Sequence, residues 1–386
     1  LKDEKKLHHE FSKKRIRGGN EWFESSSKLI NRIQNLLEDS LEEKKSGIQL
    51  LNQKNNDEEE LLYAIYDLKI APITFNIADF LIVSEYEANK SGKKGFVIVF
   101  VPQGKPSSYG WEEYEAIFDS DSKIWKFHNI VLPITLLAPK CKGVYILPRR
   151  SDVFGFVEKK DVFPDLYDGV NLRYQDDELF RKINRPHMVE GLRATKQGLR
   201  YIEKWHSSNK IGIPVVTLTM RQSRFDHARN SNIEAWLKFA YYLQDSGYFP
   251  VIVPDTDNAF QTEDAFPELH VFNEGSWNMG LRMALYESSY LNFFSPNGPA
   301  TLASLNARCS YISMEWLDKD SMVTTEESLR VWGNPINENY KFALPHQRLV
   351  FKRDTYENIL AEFKSFVDDD SKLQFEDTNN SNSDHG

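Results

Sequence analysis

From about residue 61 onward the chain alternates short apolar runs with stretches whose apolar residues recur every three or four positions. Runs at 96–101, 130–137, 144–147, 215–219, 250–253, 291–294 and 311–314 predict strands, and the helical patterns between them predict parallel βαβ units. The expected fold class is therefore α/β. Residues 187–206, with Met188, Leu192, Leu199, Ile202 and Trp205 on one face, predict a long helix, and Lys210 to Pro214 after it predict a hinge. In the second half, Asn232 is placed to cap a helix whose face carries Ile233, Trp236, Leu237, Ala240 and Leu243 and which ends at Gly247. Further helices are predicted at 277–289 and 354–367, the latter free to cross back to the first domain. The tail from Asp368 carries six acids against one lysine and is expected to be disordered.

Before residue 61 the pattern differs. Lys, Glu, Asn, Gln and Ser dominate, with Leu29, Ile30, Ile33, Leu36, Leu37 and Leu41 at helical spacing. Such an amphipathic helix either packs on its own domain or joins copies of the chain into a homo-oligomer through residues 26–53. The expected organisation is a helical N-terminal extension at 1–60, a first Rossmann-like domain at 61–207, a second at 208–350, a C-terminal helix at 351–368 and an acidic tail at 369–386.

Composition narrows the function classes. The 386 residues are 40% hydrophobic and 27% charged, as in soluble globular proteins, and no apolar stretch is long enough to predict a membrane span. A net charge of −9 argues against a general nucleic-acid binder, which needs a basic face. The two cysteines, Cys141 and Cys309, form no CxxC or Cys/His cluster, so neither a disulfide framework nor a zinc site is expected. Leu-Lys-Asp-Glu-Lys-Lys at the start lacks the apolar core of a signal peptide, and a cytoplasmic location is expected.

Two loops hold the candidate chemistry. Met220 to Asn232, after the 215–219 run, carries Arg221, Arg224 and Arg229 at the edge where open parallel sheets bind ligands. Arginine stays charged and forks onto two phosphate oxygens, although any one of the three can instead pair with Asp226 or Asp255. The second loop, Ser295-Pro-Asn-Gly-Pro-Ala-Thr301, follows the 291–294 run and opens a helix of small residues. With Pro299 at its first position, the N–H groups of Gly298, Ala300 and Thr301 would face an anion; alternatively Asn297 or the Thr301 hydroxyl simply caps the helix. Together the loops could hold a diphosphate from two sides. Neither is a GxGxxG or Walker A sequence. Arg149, Arg150 and Asp152 form a charged loop end, Glu85 and Glu87 read as solvated or paired, and Trp111, Trp125, Trp236, Trp277 and Trp316 read mostly as core.

The order of strand, arginine-bearing loop, helix, strand ending at Asp255, helix, strand and Ser-Pro-Asn-Gly-Pro-Ala-Thr resembles the donor domain of GT-B glycosyltransferases. The likeness is greatest to the heptosyltransferase-like family, with a fainter one to GT-B fucosyltransferases. In heptosyltransferases a lysine before the corresponding helix contacts the donor phosphates, and Arg229 occupies that place. Their small-residue loop carries an Asp and a His that are missing here, while its Gly is matched by Gly298. The resemblance implies two Rossmann-like parallel-sheet domains and an inverting, metal-independent transfer of a sugar from a nucleotide-diphosphate donor to a hydroxyl of a glycan or other acceptor, in surface glycan synthesis. It implies no cofactor. Residues 71–81 are similar to the family's first strand-to-helix loop, where an Asp acts as catalytic base; Asp79 holds that position. Asp79 can equally be an acid complementing a helix dipole. Asp255, beside Asp257, stands where a ribose or base rim is bound. Two alternatives share the architecture: a sugar-nucleotide 2-epimerase, to which His227 could contribute, and a non-catalytic scaffold.

Overall fold

The computed structural model describes residues 60–383, apart from 104–116, 159, 166, 168–177, 261–265 and 267. The expected N-terminal extension, its oligomerising stretch at 26–53 and Trp111 lie outside the described residues.

Two parallel sheets carry the fold. The first has four strands in the order β3-β2-β1-β4, comprising β1 (Leu61–Asp67), β2 (Gly95–Val101), β3 (Cys141–Ile146) and β4 (Val162–Phe163). β2 is buried along its whole length and β1 nearly so, which is why their sequences read as continuous apolar runs. The second sheet has six strands, β5 (Val215–Thr219), β6 (Phe249–Val253), β7 (His270–Val271), β8 (Leu291–Phe294), β9 (Tyr311–Ser313) and β10 (Gln347–Leu349), in the order β10-β9-β8-β5-β6-β7. All of its pairings are parallel. The chain starts at the middle of this sheet and winds outward first one way, then the other, as in a Rossmann fold. β5 and β8 lie side by side at the point where the direction reverses, so the loops leaving them diverge and open a crevice at their C-terminal ends. Both sheets belong to one compact unit, Glu60–Gly386.

The helices that position the site are α1 (Ile77–Lys90), α2 (Ser120–Lys126), α3 (Lys196–Ser208), α4 (Ile233–Asp245), α5 (Met279–Ser288), α6 (Gly298–Ser304) and α7 (Tyr356–Ser383). α4 begins as the sequence indicates: the Asn232 side chain accepts the Ala235 N–H at 3.3 Å, and Gly247 stops the chain at φ +82°. Its face packs Trp236 and Phe239 edge-on to Phe293, with ring centroids 5.9 and 5.1 Å apart. Each such aromatic pair contributes roughly 0.5–1.5 kcal/mol beyond its buried area.

Four expectations are corrected. The 130–137 run is not a strand but helical, a π turn over Phe127–Val131 running into Leu132–Thr135 with Pro133 in its first turn; a short apolar run alone does not distinguish the two. The helix expected at 187–206 begins only at Lys196, capped by the Thr195 hydroxyl, because His187 and Gly191 adopt positive φ. A side chain at Gly191 would also meet the Leu305 carbonyl at 2.6 Å. Helix α7 packs Ile359, Phe363 and Phe366 against α4 rather than crossing back to the first sheet. It also continues to Ser383, past the predicted start of disorder, and is pinned at the first such residues by Arg348 on Asp369 and the Tyr290 hydroxyl on Asp370.

Of the charged groups outside the two loops, the Arg150 end is structural and the paired alternative holds for Glu87. Arg150 forks onto both oxygens of Asp67 at 2.6 and 2.7 Å, with the Tyr167 hydroxyl on the same carboxylate. Glu85 is buried, accepting the N–H groups of Glu190 and Gly191, and Glu87 pairs with Lys182 at 2.6 Å.

Glu315, just beyond β9, lies beside Asp354, which itself accepts the Asn232 N–H and the Trp236 indole N–H. Burial, and then the charge of Asp354, raise the Glu315 carboxyl from 4.5 to about 7. Arg353, 68% exposed and 3.7 Å away, offsets little of this. Between these values the folded chain holds a proton that the unfolded chain has released, so stability falls as pH rises through that window. Glu315→Gln is expected to raise stability at pH 8 by about 1–2 kcal/mol, less than the full shift because the group is partly solvated, and to change little at pH 4.5. Urea denaturation at the two pH values checks this.

Candidate active site

A cavity of about 330 Å³ opens between the C-terminal edges of the two sheets. From the first sheet it is lined by the loop after β1, including Thr74, Phe75 and Asn76, and by Asp79 in the first turn of α1. The second sheet contributes Arg221 and Arg229 after β5, Asp255 after β6, and Asn297, Gly298 and Thr301 after β8. The loops after β5 and β8 are joined by three contacts: the Ser231 hydroxyl bonds the Ser295 hydroxyl, the Asn297 amide donates to the Thr219 carbonyl at 3.3 Å, and Arg229 Nη1 approaches the Pro296 carbonyl at 3.4 Å.

The three arginines have separate places. Arg221 is buried and spends its guanidinium on its own loop, donating to the carbonyls of Asp226 and Phe225 and to the Asn230 side chain. Burial, then the charge of Arg229, push its pKa down to about 10, which leaves it charged at neutral pH. Arg229 donates from Nε to Asp226 at 2.7 Å and reaches the cavity wall; burial lowers its pKa, with Asp226 and Asp255 opposing. Arg224 is exposed and does not line this cavity. It borders a second hollow of about 460 Å³ with Gln222, His227 and Asn258, and His227 does not line the first cavity.

The loop after β8 differs from its expected detail. Helix α6 starts at Gly298, so Pro299 is its second residue, and the Ala300 N–H is not open to an anion because the Asn297 side chain accepts it at 3.0 Å. The capping alternative therefore holds for Asn297. Gly298 meets a different demand: an added Cβ would lie 2.3 Å from the Phe75 ring of the first-sheet loop. Gly298→Ala is expected to cost about 1–3 kcal/mol, and much less in a Phe75→Ala background where the ring is gone. A double-mutant cycle in urea measures the difference.

Asp255 holds the loops around it, accepting the Gln222 N–H at 3.2 Å and the Thr256 N–H at 2.8 Å. Asp79 lies near Tyr340, whose hydroxyl pKa is raised mainly by burial, with smaller contributions from Tyr311 and Asp79.

Several lining residues escaped the sequence reading. Tyr340 stacks against both Phe180 and Phe342, at centroid distances of 5.4 and 4.9 Å, those two rings lie 6.4 Å from each other, and Trp316 meets Tyr340 edge-on at 5.9 Å, giving the cavity an aromatic wall. No periodic pattern marks these residues, because Trp316, Tyr340 and Phe342 come from irregular segments and Phe180 from a helix of only five residues, Glu178–Lys182. Thr324 also lines the cavity with its hydroxyl buried and without a hydrogen-bond partner. Lys126, at the end of α2, sits 3.2 Å from the Phe118 ring centroid on the first-sheet side. Among the described residues no group of three or more His, Cys, Asp or Glu is arranged to hold a metal ion, and no helix is long and apolar enough to cross a membrane.

No family model matches the chain, and no curated protein matches it. Several solved structures are similar, among them three glycosyltransferases. A family 9 glycosyl transferase from Veillonella parvula is 9% identical, covering 67% of this chain and 81% of its own, with a TM-score of 0.44. The ADP-heptose LPS heptosyltransferase II of E. coli is 10% identical over 81% of this chain and 99% of its own, with a TM-score of 0.48. The E. coli heptosyltransferase WaaC with ADP is 11% identical over 79% and 99%, with a TM-score of 0.34.

Proposed function

We propose that the cavity takes a nucleoside diphosphate sugar and that the protein transfers the sugar, with inversion, to a hydroxyl acceptor. The observation that carries this reading is that one cavity is lined by a carboxylate from the first sheet, Asp79, and a guanidinium from the second, Arg229. Inverting transfer needs these two charges: a base for the acceptor hydroxyl, and a cation where negative charge develops on the departing diphosphate.

In this reaction Asp79 takes the hydroxyl proton as the oxygen attacks the anomeric carbon. The bond from that carbon to the diphosphate oxygen breaks, and its electron pair leaves with the nucleoside diphosphate beside Arg229. The proton on Asp79 then passes to water. Arg221 fixes the loop that presents Arg229, Asp255 and Thr301 border the donor, and the aromatic wall offers a flat face for a sugar or base. Arg229 supplies the positive charge, so the reading needs no divalent cation and no cofactor. A cytoplasmic place in surface glycan synthesis accompanies this reading.

Incubation with a panel of nucleotide sugars and water as the only acceptor tests the class of reaction. Slow release of nucleoside diphosphate, with the remaining donor unchanged, is expected. Conversion of the donor to its 2-epimer would overturn the transferase reading.

A further inference from the structure

We propose that Asp226 is the positioning residue of the diphosphate grip, acting through Arg229. The inference rests on the donor reading above. Asp226 is buried, with a backbone in the left-handed region at φ +54°, a conformation costly for a residue with a side chain. Its Oδ2 accepts Arg229 Nε at 2.7 Å and the Ser321 hydroxyl at 2.8 Å, and its Oδ1 accepts the Met322 N–H at 3.2 Å. The carboxylate therefore engages the Nε side of Arg229 and turns its Nη groups toward a phosphate, for which Nη1 would give up only its 3.4 Å contact with the Pro296 carbonyl.

The same carboxylate shapes the cavity wall. While donating to Asp226, the Ser321 oxygen accepts the N–H groups of Val323 and Thr324 at 3.0 and 2.8 Å, and both of these residues line the cavity. One buried acid thus sets the direction of the cation and hangs the 321–324 turn from the loop that carries it. This carboxylate thus ties Arg229 directly to the turn, through Nε on one side and the Ser321 hydroxyl and Met322 N–H on the other.

The test is a double-mutant cycle on diphosphate affinity, measured by calorimetry with inorganic pyrophosphate and with ADP, GDP and UDP. Asp226→Asn is expected to lower affinity about tenfold or more in the wild-type background and to have no further effect once Arg229→Ala is present. Loss of the same size in both backgrounds would show a merely structural role and overturn the inference. So would unchanged affinity in Asp226→Asn. Removing one member of a buried pair can prevent folding. In that case Ser321→Ala, which keeps the pair, is expected to weaken binding a fewfold only when Arg229 is present, and an equal loss without Arg229 overturns the inference. If the wild-type protein binds none of the four ligands, the donor reading fails and this inference with it. If it binds and Arg229→Ala weakens binding while Asp226→Asn does not, the donor reading stands and only the inference falls.

Discussion

Arg229→Ala is expected to weaken binding of a nucleoside diphosphate by about ten- to a hundredfold, the loss of one or two charge-assisted hydrogen bonds to phosphate. The expectation follows from the way the guanidinium is held. Its Nε is engaged by Asp226, its Nη1 has only a 3.4 Å approach to the Pro296 carbonyl, and the side chain is part of the cavity wall. Binding of the corresponding nucleoside, which carries no phosphate, should change far less. The variant should melt at a lower temperature, because the Asp226 carboxylate loses its ion pair, but it keeps the Ser321 hydroxyl and the Met322 N–H as donors. Equal losses for nucleoside and diphosphate would point to a collapsed site rather than a lost phosphate contact. Titration of both ligands into both proteins, at a temperature where both are folded, separates the two.

Asp79→Asn is expected to lower kcat about 10²- to 10⁴-fold while leaving donor affinity nearly unchanged. The amide keeps the size and an oxygen acceptor but cannot take the acceptor's proton. An acid that only complements the dipole of α1 would behave differently: its loss would cost about 0.3–1 kcal/mol of stability and leave turnover intact. Steady-state rates with a saturating nucleotide sugar, together with a urea titration of the same variant, distinguish the two roles.

The second sheet was legible because its strands are buried runs bounded by turn residues. The 215–219 and 291–294 runs are β5 and β8, and Asn232 and Gly247 end α4 where cap chemistry places them. Strand β1, which is not among the runs singled out, and the two- and three-residue strands β4, β7 and β10 give too short or too plain a signal for periodicity. The 130–137 run shows the opposite problem, an apolar stretch whose helical state is decided by the layer it packs into.

In the candidate site, the sequence placed Arg229, Asp255 and Thr301 on loops that the fold brings to one cavity, but it did not give their partners. An arginine-rich loop after a parallel strand marks the ligand edge, and Arg229 is where that argument leads. Nothing in spacing says that Arg221 would turn inward to three acceptors of its own loop, or that Asn297 would take the Ala300 N–H. Gly298 was read as backbone kept bare for an anion, whereas the neighbouring Phe75 comes from a loop more than two hundred positions away. Trp316 was read as core and instead helps to wall the cavity, a place set by the irregular chain after β9.

The most direct measurement is calorimetric titration of the wild-type protein with ADP, GDP and UDP in the presence of a chelator. The account predicts that at least one binds at a single site with its charge met by arginine rather than by a divalent ion. If none of the three produces heat or shifts the melting temperature, the cavity does not take a nucleotide donor and the account is contradicted.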